Sequence, residues 1–197
     1  MKRQSRLLVL VAAALAAALM ASAQNASGPA AASLRSMDTK LAHLQQNAAQ
    51  EPPNPAPTEF TEREINDYFA AGRVKLPTGV HSVRFEAEPG VITGVSQVDF
   101  DQLKAGQRSS NPLLSVFSGV HEVVVVAHAH GAGHQGYVEV QSVSLDGTEI
   151  PRFALQLFVD KYLQPKYPDL GLNSRFVLPE KIDTATVGKD KLTVTQK

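Results

Sequence analysis

Residues 119–145 read GVHEVVVVAHAHGAGHQGYVEVQSVSL, two long strand patterns joined by a glycine-rich turn. Val123 to Val126 is β-branched at four successive positions, so both faces of the first strand are apolar and both need cover. The return strand sets Tyr137, Glu139 and Gln141 against Val138 and Val140, then changes phase at Ser142 and Val143. A bulge produces such a phase change. Antiparallel pairing through a short turn is the economical arrangement, and it makes this hairpin the centre of a sheet.

Working outward, the segments around the hairpin supply both strands and cover. Val83, Phe85 and Ala87 alternate with Ser82, Arg84 and Glu86, the period of a half-buried strand. Pro89 and Gly90 turn the chain, and Val91 to Phe100 returns. PLLSVFS, from Pro112 to Ser118, reads as a buried helical turn or a rim segment leading into the hairpin. Ile182 to Val187 and Leu192 to Thr195 form a last hairpin around GKDK. Leu76-Pro77 before one hairpin and Leu178-Pro179 before the other suggest a repeated unit.

Two helices are written plainly. In FTEREINDYFAAG, residues 60–72, Thr61 is the N-cap and Glu64 closes a capping box, Phe60 and Ile65 are spaced as a hydrophobic staple, and Gly72 suits the C′ position. Ile65, Tyr68 and Phe69 share a face, whereas Asn66 and Asp67 point to the solvated side. From Pro151 to Leu163, polar residues recur only at Arg152, Gln156 and Asp160. Such a helix calls for apolar surroundings on most sides.

The N-terminal part is of another kind. Lys2, Arg3 and Arg6 precede an apolar run from Leu7 to Met20, with Ala21, Ser22 and Ala23 as a small-residue cleavage site; this is the pattern of a secretory signal peptide removed before Gln24. The run is shorter than the ~20 apolar residues that cross a bilayer. Export to the periplasm or the exterior follows. With no cysteine, the exported domain must be held by its core alone. Ser33 to Gln50 carries Leu34, Met37, Leu41 and Leu44 at helical spacing, the stripe of a loosely docked arm or of a partner-binding helix. EPPNPAPT, residues 51–58, is a stiff spacer. The expected plan is therefore a signal peptide at 1–23, an arm and linker at 24–58, and one folded domain at 59–197.

Composition narrows the function. Lys plus Arg and Asp plus Glu both number 19, so no net basic field gathers nucleic acid. Hydrophobic residues make up 43% and charged residues 19%, which permits a generous apolar interior. The G-x-G-x-x-G pattern of Gly131 to Gly136 is followed by YVEV, a strand, where a dinucleotide site needs a helix N-terminus. It reads as a flexible hairpin tip.

His128, His130 and His134 are the candidate metal ligands: the first two share a strand face ~6.6 Å apart, and a turn at Gly131 to Gly133 would set His134 opposite His130. A solvated strand end is the preferred reading of the three. No G-x-S-x-G elbow, H-E-x-x-H pair or cysteine nucleophile is present, so a non-enzymatic role with no cofactor is expected.

Over Phe60 to Leu103 the chain resembles the phospholipid-binding lipomannan-elongation factor family of actinobacteria and similar exported envelope proteins. The likeness rests on Thr61, Glu64 and Asn66 in the helix opening, on the following LPTGV, and on the closing LPEKIDTATVGKDKLTVT. It implies a fold akin to the tubular lipid-binding domains and no catalytic residue. The combined expectation is an α+β domain in which a long, curved antiparallel sheet wraps around one or two helices. Val83, Phe85, Val124, Val126, Val138, Phe153, Leu157 and Phe158 are expected to wall a groove for a lipid or other apolar molecule. The competing expectation is an envelope scaffold that engages a protein partner through residues 33–58.

Overall fold

The computed structural model describes residues 28–104 and 112–197; the signal-peptide pattern at 1–23 lies outside them. Among the described residues the architecture is, as expected, α+β, with nine antiparallel strands in one open sheet. The strands are β1 (Thr58–Thr61), β2 (Val80–Glu88), β3 (Val91–Asp99), β4 (Val120–Ala132), β5 (Gln135–Leu145), β6 (Thr148–Glu149), β7 (Asn173–Val177), β8 (Ile182–Gly188) and β9 (Lys191–Gln196). The helices are α1 (Pro29–Ala48), α2 (Glu62–Ala70), the single turn α3 (Phe100–Leu103) and α4 (Arg152–Phe158), which runs on into a π-helical turn at Val159–Leu163.

β4 is the spine. Its first two thirds pair with β3, from Val120 opposite Asp99 to His128 opposite Val91. Beyond the end of β3, His130 and Gly131 of the same edge pair with Thr186 and Ala185 of β8. β5 takes the other edge. One long strand thereby joins a meander, β2 to β5 with β7, to a smaller group, β8, β9 and β1. The expected bulge is present: the register shifts between Val126 and Ala127, which leaves Gln141 of β5 unpaired. The two Leu-Pro hairpins meet at their tips, where Gly90 N–H donates to Val187 O (3.0 Å) and Asp190 N–H to Ala87 O (2.8 Å).

The glycine-rich turn has a packing logic that differs from the expected flexible tip. Gly133 and His134, at φ 58° and 61°, form the two-residue turn, as the primed hairpin turns require. Gly131 faces β8 so closely that a Cβ there would lie 2.7 Å from that of Ala185, and one at Gly136 would lie 2.5 Å from the Phe176 ring. These two glycines are places where neighbours press on the hairpin.

α2 forms as its capping signals dictate, with Thr61 Oγ1 accepting from Glu64 N–H and the Glu64 carboxylate accepting from Thr61 N–H. At its far end Gly72 N–H donates to Phe69 O and Arg73 N–H to Tyr68 O, a Schellman closure. Asn66 is not on a solvated face. Its amide spans the open edge of β2, donating to Phe85 O and accepting from Phe85 N–H, both at 2.7 Å, and Glu62 one turn earlier accepts from Ala87 N–H. The i, i+4 pair occupies an edge that would otherwise offer itself to another strand.

The expected boundary at residue 59 does not hold, because α1 is part of the fold. Met37, Leu41 and Leu44 are buried with Phe60, Tyr68, Phe69, Ile182 and Val194 in a core beneath α1 and α2. The reason is polar as well as apolar. Lys40 reaches both oxygens of Glu64 at 2.7 Å, and Asn47 bonds to Asn54 and to Gln196, which in turn donates to Leu44 O and Glu180 O. Burial alone would raise the Glu64 pKa, but the bonds from Lys40, Ser36 and Thr61 outweigh it and hold the carboxyl below its usual value. The spacer is thus folded back onto the last strand.

Candidate functional site: an apolar cavity under one helix

The second core lies between α4 and the meander. Ala154, Leu155, Phe158, Val159 and Tyr162 point down from α4 and its π turn, and Phe100, Phe117, Val123, Leu145 and Leu172 meet them. Phe117 and Phe158 stack 4.3 Å apart, with Phe100 edge-on to Phe158 at 5.4 Å. This packing does not fill the space above the middle of the sheet. A cavity of about 350 Å³ remains there.

Strand parity decides its wall. Val83 and Phe85 of β2 and Ile92, Ser96 and Val98 of β3 line it, followed by Val123, Val125, Ala127 and Ala129 of β4 and by Val138, Val140 and Val143 of β5. Cross-strand register confirms the single face: Phe85 sits opposite Gly94, Gly94 opposite Val125, and Val125 opposite Val143. Leu155, Phe158, Val159 and Leu163 roof it. Among the described residues, Ser96 is the one polar side chain in this lining. A largely apolar concavity of this size falls in the range of small-molecule sites, about 300–1,000 Å³.

Of the eight groove residues expected from sequence, four line the cavity: Val83, Phe85, Val138 and Phe158. Val124 and Val126 do not. They alternate with the wall residues Val123, Val125 and Ala127, so the pleat turns them to the opposite face. Phe153 and Leu157 are likewise off the wall, 58% and 38% exposed, because one helix on one sheet buries one stripe. The residues that sequence reasoning missed, Val125, Val140 and Val143 above all, were hidden by the bulge and by a run of four valines with no polar marker of parity. The pairing of Gly94 with Phe85 was the available signal, but only the register reveals it.

The histidines do not converge. His130 stacks on Tyr137 across the hairpin at 4.8 Å, with the Arg175 guanidinium 5.1 Å from the same ring. His128 lies 3.3 Å from Gly90 O, and His134, at the turn and not opposite His130, bonds to Ile182 O at 3.0 Å. Among the described residues no group of three or more His, Cys, Asp or Glu side chains is arranged to hold a metal ion. A different histidine is engaged at the base of the hairpin: His121 Nδ1 is 2.5 Å from Asp146 Oδ2 and its Nε2 is 2.7 Å from Ser118 O.

No known family, characterised protein or solved structure matches the chain.

Proposed function

We propose that the protein binds and carries a lipid or other apolar molecule, without catalysing a reaction. The observation that carries this reading is the cavity of about 350 Å³ with an almost wholly apolar wall. Interiors normally pack to crystal-like density, so an apolar void of this size gives up dispersion contacts that a ligand would restore. The resemblance of the α2 opening to a phospholipid-binding family points the same way, and the leader pattern at 1–23 assigns the work to the cell envelope. The scaffold alternative gains little from the arm, whose stripe Met37, Leu41 and Leu44 is engaged in the domain's own core.

Adjacent valines of opposite parity make the test. Val125→Glu places a carboxylate in the ligand's path, whereas Val124→Glu places it on the other sheet face. Protein purified from cells should yield an extractable apolar molecule by mass spectrometry. Val125→Glu should shed it while circular dichroism shows a folded domain, and Val124→Glu should retain it. Ligand-free wild-type protein that also takes up no added amphiphile would overturn the proposal.

A further inference from the structure

Ser96 interrupts an otherwise hydrocarbon wall. It sits within a row that crosses four strands: Val83 of β2 pairs with Ser96, Ser96 with Val123 of β4, and Val123 with Leu145 of β5. All four line the cavity. Gly94 and Val98, two residues away on either side along β3, belong to the same face. A valine at 96 would suit the strand and its apolar neighbours better than a serine does. The Ser96 side chain is half-buried, and its hydroxyl is hydrogen-bonded to no described residue. A polar group set into an apolar wall without a protein partner runs against the rule for folded interiors. Such local departures are expected where a site does work.

The wall also limits the charge of what can lie against it. Among the described residues no Lys, Arg, His, Asp or Glu side chain lines the cavity, so an ionised group inside would be desolvated with no counter-charge. An uncharged oxygen asks for much less. A serine hydroxyl donates to a carbonyl and either donates to or accepts from an alcohol. Strand geometry sets this hydroxyl off-centre. At about 3.3 Å per residue, Ser96 lies ~7 Å from Val98 and ~13 Å from Ile92 along the same face of β3. The longer stretch, over Gly94, Val125 and Ala127 to Ile92 and Ala129, is apolar throughout. Apolar pockets with a few placed polar groups use those groups to fix orientation and specificity.

Resting on the carrier reading, we infer that the cavity selects an uncharged apolar molecule bearing a hydroxyl or carbonyl oxygen, with that oxygen hydrogen-bonded to Ser96 Oγ and the hydrocarbon body laid toward Ile92 and Ala129. Ser96 is then the residue that determines orientation and specificity, and the uncharged wall turns away carboxylates and ammonium groups.

The test measures decan-1-ol, decan-2-one, decane, decanoate and decylammonium at pH 7, each by displacement of the dye N-phenyl-1-naphthylamine from delipidated protein. Decanol and decanone should bind at least ten-fold tighter than decanoate and decylammonium. Ser96→Ala should weaken decanol and decanone about five-fold, the worth of one neutral hydrogen bond, and leave decane unchanged, which reports that the cavity is intact. Ser96→Thr, which keeps the hydroxyl, should restore both. A second measurement needs no variant: in the isotope-edited infrared spectrum, the carbonyl stretch of bound decanone should fall below its position in liquid hydrocarbon. Decanoate or decylammonium bound as tightly as decanol would overturn the selection for uncharged ligands and leave the cavity as a carrier site. Equal effects of Ser96→Ala on decanol and decane, or a carbonyl at its hydrocarbon frequency in the wild type, would overturn the role of Ser96. Wild-type protein that binds neither the dye nor any probe would sink the carrier reading itself.

Discussion

Beneath α1 and α2 the sheet is filled. Met37, Leu41, Leu44 and Phe60 are at most 3% exposed, and the short strands β1, β8 and β9 are covered by two helices. Beneath α4 the strands are longer, nine to thirteen residues in β2 to β5, and a seven-residue helix with its π turn is the main helical cover. The difference is one of ratio. A helix of n residues covers about 1.5n Å of sheet, so α4 leaves part of the meander's inner face without a close-packed partner. One end of the molecule holds the fold; the other holds a space.

The largest test of this contrast is a pair of identical chemical changes on the two sides. Leu44→Ala, in the filled core, should cost about 2–5 kcal/mol by urea unfolding, from lost contacts and the cavity left behind. Leu163→Ala, on the cavity rim, should cost less than about 1.5 kcal/mol because fewer close-packed contacts are lost. Equal losses would mean that both sides are solid.

Next in size is the polar lock of the filled side. Gln196→Ala removes one of the partners of Asn47, which keeps Asn54, and the side-chain donor to the Leu44 and Glu180 carbonyls, and a buried group left without a partner costs about 1–3 kcal/mol. Hydrogen exchange should then accelerate at the end of α1 and leave β3 and β4 protected. Asn66→Ala, which uncovers the β2 edge at Phe85, should cost about 1 kcal/mol and raise the tendency to self-associate, read by light scattering.

The smallest effect is the pH dependence of the meander's base. The hydrogen bond between His121 and Asp146, with the Ser118 carbonyl adding to it on the histidine side, raises the His121 pKa; the same bond, with one from Glu122 N–H, lowers that of Asp146. A raised histidine contributes fully below its unfolded pKa and loses that contribution as pH rises through the folded value; a lowered carboxylate contributes above its unfolded pKa and loses it as pH falls. The pair therefore contributes most between about pH 4 and 6.5, the unfolded values of Asp and His. His121→Gln should flatten the melting-temperature profile at both flanks of that window, and an unchanged profile would show the pair to be inert.

Much of this was legible in the chain because it is local. Thr61 and Glu64 specify a helix start within four residues, the alternation around Phe85 specifies a strand, and the phase break at Ser142 announced the bulge. Such signals depend on neighbours that the chain itself places nearby. The leader-like pattern at 1–23 and the apolar surplus were also legible in the sequence, as grounds for expecting an exported domain able to enclose apolar matter.

The site was only half legible, since its wall depends on pairing between residues far apart in the chain. Four consecutive valines look alike until β3 and β5 take up register on either side and the pleat turns Val125 inward and Val124 out. Phe153 and Leu157 look as buried as Leu155 and Phe158 until a single sheet beneath α4 selects one stripe. The stripe on α1 could have served a partner until Gln196, at the opposite end of the chain, bonded to Asn47. Local sequence thus determined which elements form and which face of each is apolar enough to need cover. The tertiary structure decided which apolar faces were given cover and which were left around a space, because covering is settled by the areas of elements brought together across the chain.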